Sequence, residues 1–561
     1  MPAKKYDVVI VGSGASGGWA AKELTERGLR VMVLEAGPPV IPERDFAEHV
    51  WPYELPFRGK GDQRAFQREQ PIQSTCYACT EYNRHFFIKD HELPYTTPPD
   101  KPFTWIRIRQ VGGKTIAWAR WSLRLSDYDF KAASRDGYGE DWPLTYEELA
   151  PYYDRVEEFI GVSGSHEGVA YCPDGKFLPP MNMTCGERLF KKAIEARFPE
   201  RRVMIGRQAV LTRAHRGRAQ CHYCDHCNRG CSTASYFSSL MVTIPAALKT
   251  GRLTLRSNAV VSHITTDREG KPKGIHFIDR LTHQHHEVEG RVIMLCASAL
   301  ESTRIMLNST SRRWPAGMAN SSGVLGHYLM DHFIGVTARG ALPILKRSER
   351  EQDGRPNSVF IPRWQNLEKQ NNRYLRGYNV RISARQPQLH GHAFGIPGFG
   401  GAFKQKVREQ PPYGFSMWAI GERLPNFANQ VELNRDLKDA WGIPTLNISF
   451  ANGENEVAMV KDMAANIEEM VHLQKVENYR IEKKITTPGA YIHEMGTCRM
   501  GVDPKKSVLN RFNQCHEAKN LFVTDGSSFP SQGQENPTLA IMALTVRACD
   551  YLVEELRRGN P

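Results

Sequence analysis

Four cysteines in one short segment have the spacing of a metal-binding loop. In CHYCDHCNRGC, residues 221–231, they follow the pattern C-x2-C-x2-C-x3-C: Cys221, Cys224, Cys227 and Cys231. Thiolates at this spacing are typical of ferredoxin-type iron–sulfur ligation. Zinc is the main alternative, although zinc usually takes two separated pairs of ligands, and a loop without metal is a third interpretation. A second C-x-x-C, Cys76 and Cys79, is interpreted either as a redox-active or metal-binding pair or as two packed thiols.

A glycine-rich turn near the N-terminus predicts a dinucleotide site. Gly12, Gly14 and Gly17 have G-x-G-x-x-G spacing, between an apolar run at 6–11 and a helical pattern from residue 19. In such a turn the first glycine permits the tight bend, the second lets a pyrophosphate approach, and the third lets the helix pack on the strand. The helix N-terminus faces the phosphates with free N–H groups. Glu35 ends a second predicted strand and can accept hydrogen bonds from a ribose. The turn alone does not distinguish FAD from NAD.

The composition is that of a large globular protein with a basic surface. The chain has 561 residues, 40% of them hydrophobic and 24% charged, so we expect several domains or one composite fold. The net charge of +13 favours an acidic partner, such as an electron-accepting protein, although a solvated basic surface is the alternative. No long Lys/Arg run and no nucleic-acid module is present, so we expect no nucleic-acid partner.

The sequence carries neither a membrane-spanning segment nor a separate export signal. No stretch has about 18 consecutive apolar residues. The first residues, MPAKKYDVVIVGSG, continue directly into the predicted strand. The chain by itself is therefore expected to be cytoplasmic, unless it is exported in the folded state with a partner that bears a signal.

The order of patterns predicts an α/β protein in which the nucleotide-binding fold is discontinuous. We expect an FAD- or NAD-binding, Rossmann-like domain from residues 1–50, 241–310 and 490–561. Residues 311–489 are expected to form an inserted substrate domain, mainly an antiparallel sheet with helices. Residues 51–240 are expected to hold loops, connecting helices and the cysteine segment.

Several local predictions accompany this architecture. Residues 105–121 alternate like a strand interrupted by Gly112 and Gly113. Thr145 with Glu148 predicts a capping box at the start of a helix that reaches residue 159. An amphipathic helix is predicted over 455–476, with its methionines in the core. A short buried strand at 521–524 and, over 536–558, a turn that leads into a helix complete the predicted fold.

Motifs distributed over nearly the whole chain resemble those of the glucose–methanol–choline (GMC) flavoprotein oxidoreductases. They occur in the family's order: the N-terminal glycine turn with LEAG, the glycine pair in RQVGGKT, LMDH at 329–332, HEMGTCRMG at 493–501, and TDGSSFP with NPTLAIMAL near the C-terminus. Each motif alone is weak, but the set is specific. The resemblance implies FAD rather than NAD, and it is strongest to the bacterial sugar dehydrogenase branch, which includes glucoside 3-dehydrogenases and gluconate dehydrogenases.

The resemblance assigns cofactor-binding roles residue by residue. The positions that match the family's FAD contacts are Gly12, Gly14, Gly17, Glu35, Gly112, Gly113, Thr115, Val260, Asp525, Gly526, Asn536, Pro537 and Thr538. Related pyranose oxidases carry a histidine bound covalently to FAD four residues after the glycine pair. This chain has Ala117 at that position, which favours noncovalent FAD.

His493 and Asn536 match the family's catalytic pair. Oxidation of an alcohol removes a hydroxyl proton and a hydride, and an imidazole can take the proton near neutral pH. Asn536 can hydrogen-bond the substrate oxygen, and the flavin supplies the redox chemistry. His332, in LMDH, is interpreted as either a substrate contact or a structural hydrogen-bonding residue.

The resemblance therefore implies an FAD-dependent dehydrogenase that oxidises a hydroxyl of a sugar or glycoside, with C3 of a glucoside as one candidate. Members of this branch have a cysteine-rich segment at the corresponding place, which implies a three-iron or four-iron cluster on the 221–231 loop and transfer of single electrons to a cytochrome c-type acceptor. They also pair with a small subunit that carries the export signal, which implies a periplasmic location. An oxygen-using alcohol oxidase and a non-catalytic subunit that holds FAD and metal are the alternatives.

Overall fold

The computed structural model describes residues 6–345, 354–371, 373–385, 393, 396–409 and 413–560. Its strands are β1 (Tyr6–Val11), β2 (Val31–Leu34), β3 (Val162–Ser163), β4 (Phe177–Leu178), β5 (Met204–Ile205), β6 (Leu253–Arg256), β7 (Ala259–Thr266), β8 (Pro272–Asp279), β9 (His285–Leu295), β10 (Phe333–Ala341), β11 (Val359–Ile361), β12 (Tyr378–Arg385), β13 (Gly414–Gly421), β14 (Gln430–Lys438), β15 (Pro444–Ser449), β16 (Glu477–Lys483) and β17 (Leu521–Val523). Its α-helices are α1 (Ala15–Glu26), α2 (Pro42–Asp45), α3 (Gln63–Glu69), α4 (Asp127–Phe130), α5 (Ala132–Asp136), α6 (Tyr146–Ile160), α7 (Cys185–Arg197), α8 (Thr243–Lys249), α9 (Ala299–Asn308), α10 (Gly400–Arg408), α11 (Glu454–Val471) and α12 (Thr538–Arg557).

A parallel sheet carries the glycine-rich turn and joins both ends of the chain. Its order is β6-β2-β1-β9, and β17 pairs in parallel with β9. Strand β9 is forked: its first half pairs antiparallel with β8, whereas its second half pairs with both β1 and β17. The predicted discontinuous α/β fold is therefore confirmed, because segments more than 200 residues apart in sequence share one sheet.

Both faces of the parallel sheet are covered, which explains the unbroken apolar run of β1. Val8 and Ile10 pack into one cluster with side chains of α1, α8 and α12. Val9 and Val11 point to the opposite face, where they join side chains of β7, β8 and α9. A strand buried on both sides has no polar alternation, as is usual for parallel sheets.

The inserted region forms an antiparallel sheet of order β16-β10-β13-β12-β11-β5. Helices α7 and α11 pack on it through buried apolar side chains. Met463, Ile467 and Met470 of α11 are fully buried there, so the prediction that the methionines of this helix belong to the core is confirmed. Strand β5 comes from the segment before the cysteine loop, and its pairing with β11 ties that segment to this sheet.

Local predictions were confirmed where helix caps decide the structure. Thr145 accepts a hydrogen bond from the Glu148 N–H and closes a capping box at the start of α6. The fully buried face of α6 carries Leu149, Tyr153 and Val156. The predicted helix after the turn at Asn536 is observed as α12.

Residues 105–121 form no strand ladder with any described part of the chain, and the predicted interruption at the glycine pair is a turn. The backbone there forms a 3-10 turn, Gly113–Ile116, and isolated bridges instead of a ladder. Gly112 and Gly113 have φ of +97° and +53°, values that a regular strand does not accommodate. Side chains replace strand partners, since the Arg107 N–H donates to Oε1 of Gln73 at 2.7 Å.

No helix within the described part of the chain is long and apolar enough to cross a bilayer. The predicted domain limits at residues 50, 240, 310 and 489 stay predictions, because strand pairing shows which segments share a sheet and not where a domain ends.

Candidate active site

The glycine-rich turn leaves a bare backbone facing a cleft. Gly12 has φ +95°, and a Cβ on Gly17 would lie 1.9 Å from the Gly12 carbonyl oxygen, so α1 packs directly on the turn. A Cβ on Gly14 would meet no atom within 4 Å. Gly14 caps α1 without a side-chain hydrogen bond, so the helix N-terminus presents free N–H groups to the cleft. The turn therefore fits a pyrophosphate.

Glu35 ties the second strand to this turn. Its Oε2 accepts from the N–H and hydroxyl of Ser13 at 3.0 and 2.6 Å, and its Oε1 accepts from the Gly37 N–H at 2.9 Å. Burial raises the pKa of Glu35, although Ser13, Gly37 and Arg109 oppose that shift. Oε1 accepts only this one hydrogen bond from the described residues and keeps acceptor capacity, so the predicted ribose contact is chemically available.

The glycine pair closes over the same cleft. A Cβ on Gly113 would lie 3.2 Å from the Cα of Gly14, so two glycine backbones approach each other closely. Gly112 donates its N–H to the Ser13 hydroxyl at 3.0 Å. Thr115 turns inward, donating to the Gly112 carbonyl at 2.5 Å and accepting from the Ser239 N–H at 2.9 Å. The threonine thereby holds the turn in shape.

One cleft collects most of the residues to which the sequence assigned cofactor contacts: Gly12, Gly14, Glu35, Gly113, Thr115, Val260, Asp525, Gly526, Pro537 and Thr538 line it, together with His493. Gly17, Gly112 and Asn536 lie outside its lining. Asp525 is held by the hydroxyl and N–H of Ser527 and by the hydroxyl of Ser302, and burial raises its pKa. The long cleft, with a helix N-terminus at one place and His493 at another, fits FAD.

A buried carboxylate fixes the loop that carries His493. Asp331 accepts hydrogen bonds from the backbone N–H groups of Gly489, Tyr491 and His493, at 2.8, 3.3 and 2.9 Å. Burial raises the pKa of Asp331 to about 6, while the Arg423 guanidinium nearby lowers it. The aspartate of LMDH therefore acts as an anchor for the 489–493 backbone, a role that the sequence did not reveal.

His493, Asn536 and Arg381 come from three separate segments and meet between the two sheets. The Nε2 of His493 lies 3.1 Å from the Nδ2 of Asn536. The Oδ1 of Asn536 accepts from the Arg381 guanidinium at 2.5 Å, and Arg381 projects from β12 of the antiparallel sheet. The structure thus brings the predicted pair together and adds an arginine to it.

The hydrogen-bond network assigns the proton positions of both imidazoles. The Gly533 carbonyl can only accept, so His332 must donate to it from Nε2, over 2.9 Å. A neutral His332 then has an unprotonated Nδ1, which accepts from the Nδ1–H of His493 at 3.1 Å. His493 consequently carries its lone pair on Nε2. This agrees with Asn536, whose amide must donate toward Nε2 because its oxygen faces a guanidinium.

Burial keeps both imidazoles neutral. It lowers the pKa of His332 to about 3, against the hydrogen bond to Gly533. The pKa of His493 is also lowered well below its ordinary value, by burial first and then by His332, Arg381 and Lys114. Of the two interpretations of His332, the structure supports the hydrogen-bonding one, since both ring nitrogens have protein partners.

Polar side chains beside the pair escaped the sequence-based reasoning. Tyr491 lies with its ring edge-on to His493, the ring centroids 4.8 Å apart. Desolvation raises the pKa of Tyr77, and the nearby Arg381 charge is among those that oppose the shift. Tyr491 lies two residues before His493, whereas Tyr77 and Arg381 come from distant segments that no local pattern could have joined to it.

A further link connects the glycine-pair turn to the histidine loop. The ammonium of Lys114 lies 2.7 and 2.9 Å from the two carboxylate oxygens of Glu494. Both residues line the cleft, and Lys114 is one of the charges that lower the pKa of His493. The cleft thus contains an ion pair of a half-buried lysine and a buried glutamate beside the imidazole.

The cysteine loop packs against the outer side of the glycine-pair turn. Cys221 and Cys231 are buried in one apolar cluster with Tyr236, and Cys227 packs against that cluster. The hydroxyl of Tyr236 donates to the Ile116 carbonyl, at the end of the 3-10 turn. Tyr236 therefore connects the cysteine loop to the turn that lines the cleft.

The four thiols supply the donor type of an iron–sulfur cluster, but their arrangement does not show one. Burial raises the pKa of Cys221 to about 12 and of Cys227 to about 11, so these thiols are protonated without a cation. No three of the four sulfurs lie within 4.8 Å of one another. Ligands of a single zinc ion would, because Zn–S bonds are about 2.3 Å long. A multi-iron cluster inserts iron and sulfide between its ligands and needs wider spacing, so iron–sulfur ligation stays a prediction.

Cys76 and Cys79 are buried in a different apolar cluster, with Phe86, Ile106 and Ile116. Burial raises the pKa of Cys79 to about 12, and the neighbouring Cys76 adds to this shift. These apolar surroundings favour the interpretation of packed thiols over that of a reactive pair.

Two family models with the description "GMC oxidoreductase" match the chain, over residues 6–334 and 425–545. Pyridoxine 4-oxidase from Mesorbium loti has a similar solved structure, with a TM-score of 0.62 and 16% identity, covering 98% of this chain and 99% of that one. At this identity the likeness concerns the fold alone.

Curated relatives match over nearly the full length. The 2-methyl-1,2-propanediol dehydrogenase of Mycolicibacterium austroafricanum is 30% identical, over 98% of this chain and 95% of its own. The fructose dehydrogenase large subunit of Gluconobacter japonicus is 29% identical, over 99% and 98%. The C-glycoside 3-oxidase of Arthrobacter globiformis is 23% identical, over 98% and 95%. With the glycine cleft and the His493–Asn536 pair, these matches show that the chain is an oxidoreductase of the GMC family, whose members bind FAD and act on CH–OH groups.

Proposed function

We propose that this protein is an FAD-dependent dehydrogenase that oxidises a hydroxyl of a sugar or glycoside, with His493 as the base. The observation that carries the proposal is the unprotonated Nε2 of His493 at the cleft, set by the hydrogen-bond chain through His332 to Gly533. A neutral imidazole with a fixed lone pair is suited to accept a hydroxyl proton.

The chain's own residues can divide the reaction as follows. The substrate hydroxyl displaces the Asn536 amide from Nε2 of His493, and its O–H bond breaks as Nε2 takes the proton. The Asn536 amide, held by Arg381, donates a hydrogen bond to the substrate oxygen while the C=O bond forms. FAD, when bound, supplies the acceptor for the hydride that leaves the carbon. Gly12, Gly14, Glu35, Gly113 and the other residues of the cleft would hold it.

The polar surroundings of the pair favour a substrate with several hydroxyl groups. Arg381, Tyr77 and Tyr491 offer hydrogen-bonding groups around the same space, and Arg381 is immobilised over the Trp121 ring at 3.6 Å. The names of relatives include both sugar and small-diol enzymes, and the polar groups around the pair favour the former. C3 of a glucoside stays the candidate carbon.

We propose further that Cys221, Cys224, Cys227 and Cys231 hold a three-iron or four-iron cluster. Its support is the spacing of the four thiols and the contact of their loop with the glycine-pair turn through Tyr236. A cluster, when bound, supplies single-electron transfer to a cytochrome c-type acceptor, which favours a dehydrogenase over an oxidase.

A partner protein near the cysteine loop is also part of the proposal. The segment at 47–48 contacts the loop, and shortly after it Trp51, Tyr53 and Phe57 expose most of their surfaces. Exposed aromatic residues in one segment are typical of interaction sites. A cytochrome or a small signal-bearing subunit would fit, and a periplasmic location by co-export stays a proposal that rests on such a subunit.

An anaerobic screen tests the function. Purified protein with bound FAD is mixed with glycosides, free sugars and small diols, and flavin bleaching is followed by absorbance, with the product carbon identified by NMR. We expect bleaching by at least one sugar or glycoside, a rate loss of about 10²-fold or more in His493→Ala, and slow peroxide formation in air. Bleaching by diols alone would refute the substrate class, and an unchanged rate in His493→Ala would refute the base.

Iron and acid-labile sulfide analysis of anaerobically purified protein tests the cluster. We expect both elements in the wild type and their loss in Cys227→Ser, with Cys515→Ser, a buried cysteine elsewhere, as the control. Absence of iron and sulfide from the wild type would refute the cluster while leaving the oxidation of the substrate untouched.

A further inference from the structure

Next to the cysteine loop, three side chains from two segments converge in a way that the proposed function does not use. Glu48, His49 and His222 each offer one ligand atom, and these atoms all lie within 4.8 Å of one another. The two imidazole rings are 5.3 Å apart between centroids. His222 belongs to the cysteine loop, whereas the other two precede the exposed aromatic segment. Three ligand atoms this close together can share one metal ion.

Glu48 supplies a reason for a cation at this place. It is only 3% exposed, and its Oε1 accepts from the Ser232 N–H at 2.6 Å. Its Oε2 is buried without a hydrogen-bond partner. The nearest imidazole nitrogen, Nε2 of His49, lies 3.5 Å from Oε1, too far for a good hydrogen bond. A buried carboxylate oxygen without a partner is costly unless a cation or a proton is bound nearby.

We propose that Glu48, His49 and His222 bind a divalent transition-metal ion such as Zn²⁺. Two imidazole nitrogens and one carboxylate oxygen are ligands that this class of ion accepts, with remaining positions open to water. Both histidines are exposed, so the ion can enter without opening the fold. The set contains no thiol, which distinguishes it from the proposed cluster on the neighbouring cysteines.

The ion would join two segments that already touch. The Ala47 N–H donates to the Arg229 carbonyl at 2.9 Å, and the Glu48 carbonyl lies 2.8 Å from Nδ1 of His226. A bound cation adds a direct bond between the 47–49 segment and the start of the cysteine loop. Binding is therefore expected to stabilise the loop against local opening.

Titration of the full-length, as-purified protein with Co²⁺ tests the site. Co²⁺ on nitrogen and oxygen ligands gives only weak visible bands, whereas Co²⁺ on thiolates adds an intense charge-transfer band in the near ultraviolet. We expect one Co²⁺ per chain without the charge-transfer band. His49→Ala and His222→Ala should each lower its affinity at least about tenfold, because removal of even an outer-sphere partner costs 10–100-fold.

Two further variants sharpen the test. Glu48→Gln keeps the shape and the Ser232 contact but removes the charge, and it should lower the Co²⁺ affinity as the histidine variants do. His91→Ala, an exposed histidine outside this group, should leave it unchanged. Binding that all variants retain, or binding seen only with the thiolate band, would overturn the proposal. Circular dichroism checks that each variant is folded.

Discussion

The Nδ1 atoms of His332 and His493 lie 3.1 Å apart, with the two rings nearly perpendicular, at 88°. Only one of two facing nitrogens can carry the shared proton, and the Gly533 carbonyl decides which one. This relationship, rather than any charge, sets the tautomer of the proposed base.

Replacement of His332 tests that relationship. Gln can donate to Gly533 and accept from His493, so His332→Gln is expected to keep the rate of anaerobic flavin bleaching within about tenfold. His332→Leu removes the acceptor, frees His493 to place its proton on Nε2, and should lower the rate about 10²-fold or more. Equal effects of the two variants, with equal FAD content, would show that His332 only fills space.

The low pKa of His493 predicts that this imidazole adds no inflection to the pH profile near its ordinary pKa. Since the folded pKa lies well below the ordinary 6.5, the imidazole is already neutral there, and flavin bleaching should show no inflection near that pH. Lys114→Met removes one of the charges that lower this pKa and leaves the Glu494 carboxylate unpaired. Both effects raise the pKa of His493, so the fall in the bleaching rate at acidic pH should move to higher pH.

Rapid mixing over a pH series measures this shift. Lys461→Met, on the exposed face of α11, is the control and should keep the wild-type profile. A limb near pH 6.5 in the wild type would contradict the assignment of a desolvated base.

Alanine substitutions at two glycines of the same turn are expected to have different effects on stability and on FAD binding. A Cβ on Gly17 would overlap the Gly12 carbonyl, so Gly17→Ala should destabilise the protein with or without FAD. A Cβ on Gly14 meets only the open cleft, so Gly14→Ala should leave the FAD-free protein as stable as the wild type and weaken FAD binding. Thermal melts of both forms and FAD titration separate the two outcomes, with Gly401→Ala as the surface control.

If Gly14→Ala bound FAD as tightly as the wild type, the pyrophosphate would not approach the turn as the glycine spacing implies.

Glu535, next to Asn536, predicts a pH-dependent stability. Burial, and then the neighbouring Asp129, raise its pKa from 4.5 to about 8. The folded protein therefore binds a proton that the unfolded chain has released, so the free energy of unfolding should fall as pH rises between these values. Glu535→Gln cannot ionise and should be more stable than the wild type at pH 8 by a few kcal/mol, and similar at pH 4.5.

Urea denaturation at both pH values measures this difference. Glu432→Gln, on an exposed strand position, should have the wild-type free energy of unfolding at both pH values. A wild type that is the more stable protein at pH 8 would mean that Glu535 is ionised and paired in the fold.

Sequence patterns predicted those parts of the molecule in which one short segment decides the structure. The glycine turn, the capping box of Thr145 and the buried face of α11 depend on spacing within a few residues, and spacing is visible in sequence. The resemblance supplied His493 and Asn536, because both lie in recognisable motifs.

The rest depends on tertiary contacts. Residues 105–121 alternate like a strand, but arginine side chains there enter buried ion pairs, as Arg107 does with Asp90. Within the described residues this segment makes only isolated bridges. Arg381 lies on an ordinary-looking strand, and only the packing of the two sheets brings it to Asn536. Asp331 looks like part of a motif, whereas its partners are three backbone amides more than 150 residues away.

The forked strand β9 has a consequence for how the chain folds. Val11 and Val523 both pair with Leu295, so the first and last strands of the nucleotide fold meet on a strand from the middle of the chain. Such a high contact order makes folding slow, and during synthesis this sheet cannot close until β17 has left the ribosome. The glycine turn is made early, yet the sheet that supports it is completed last, so the partly made sheet keeps an unpaired edge during synthesis.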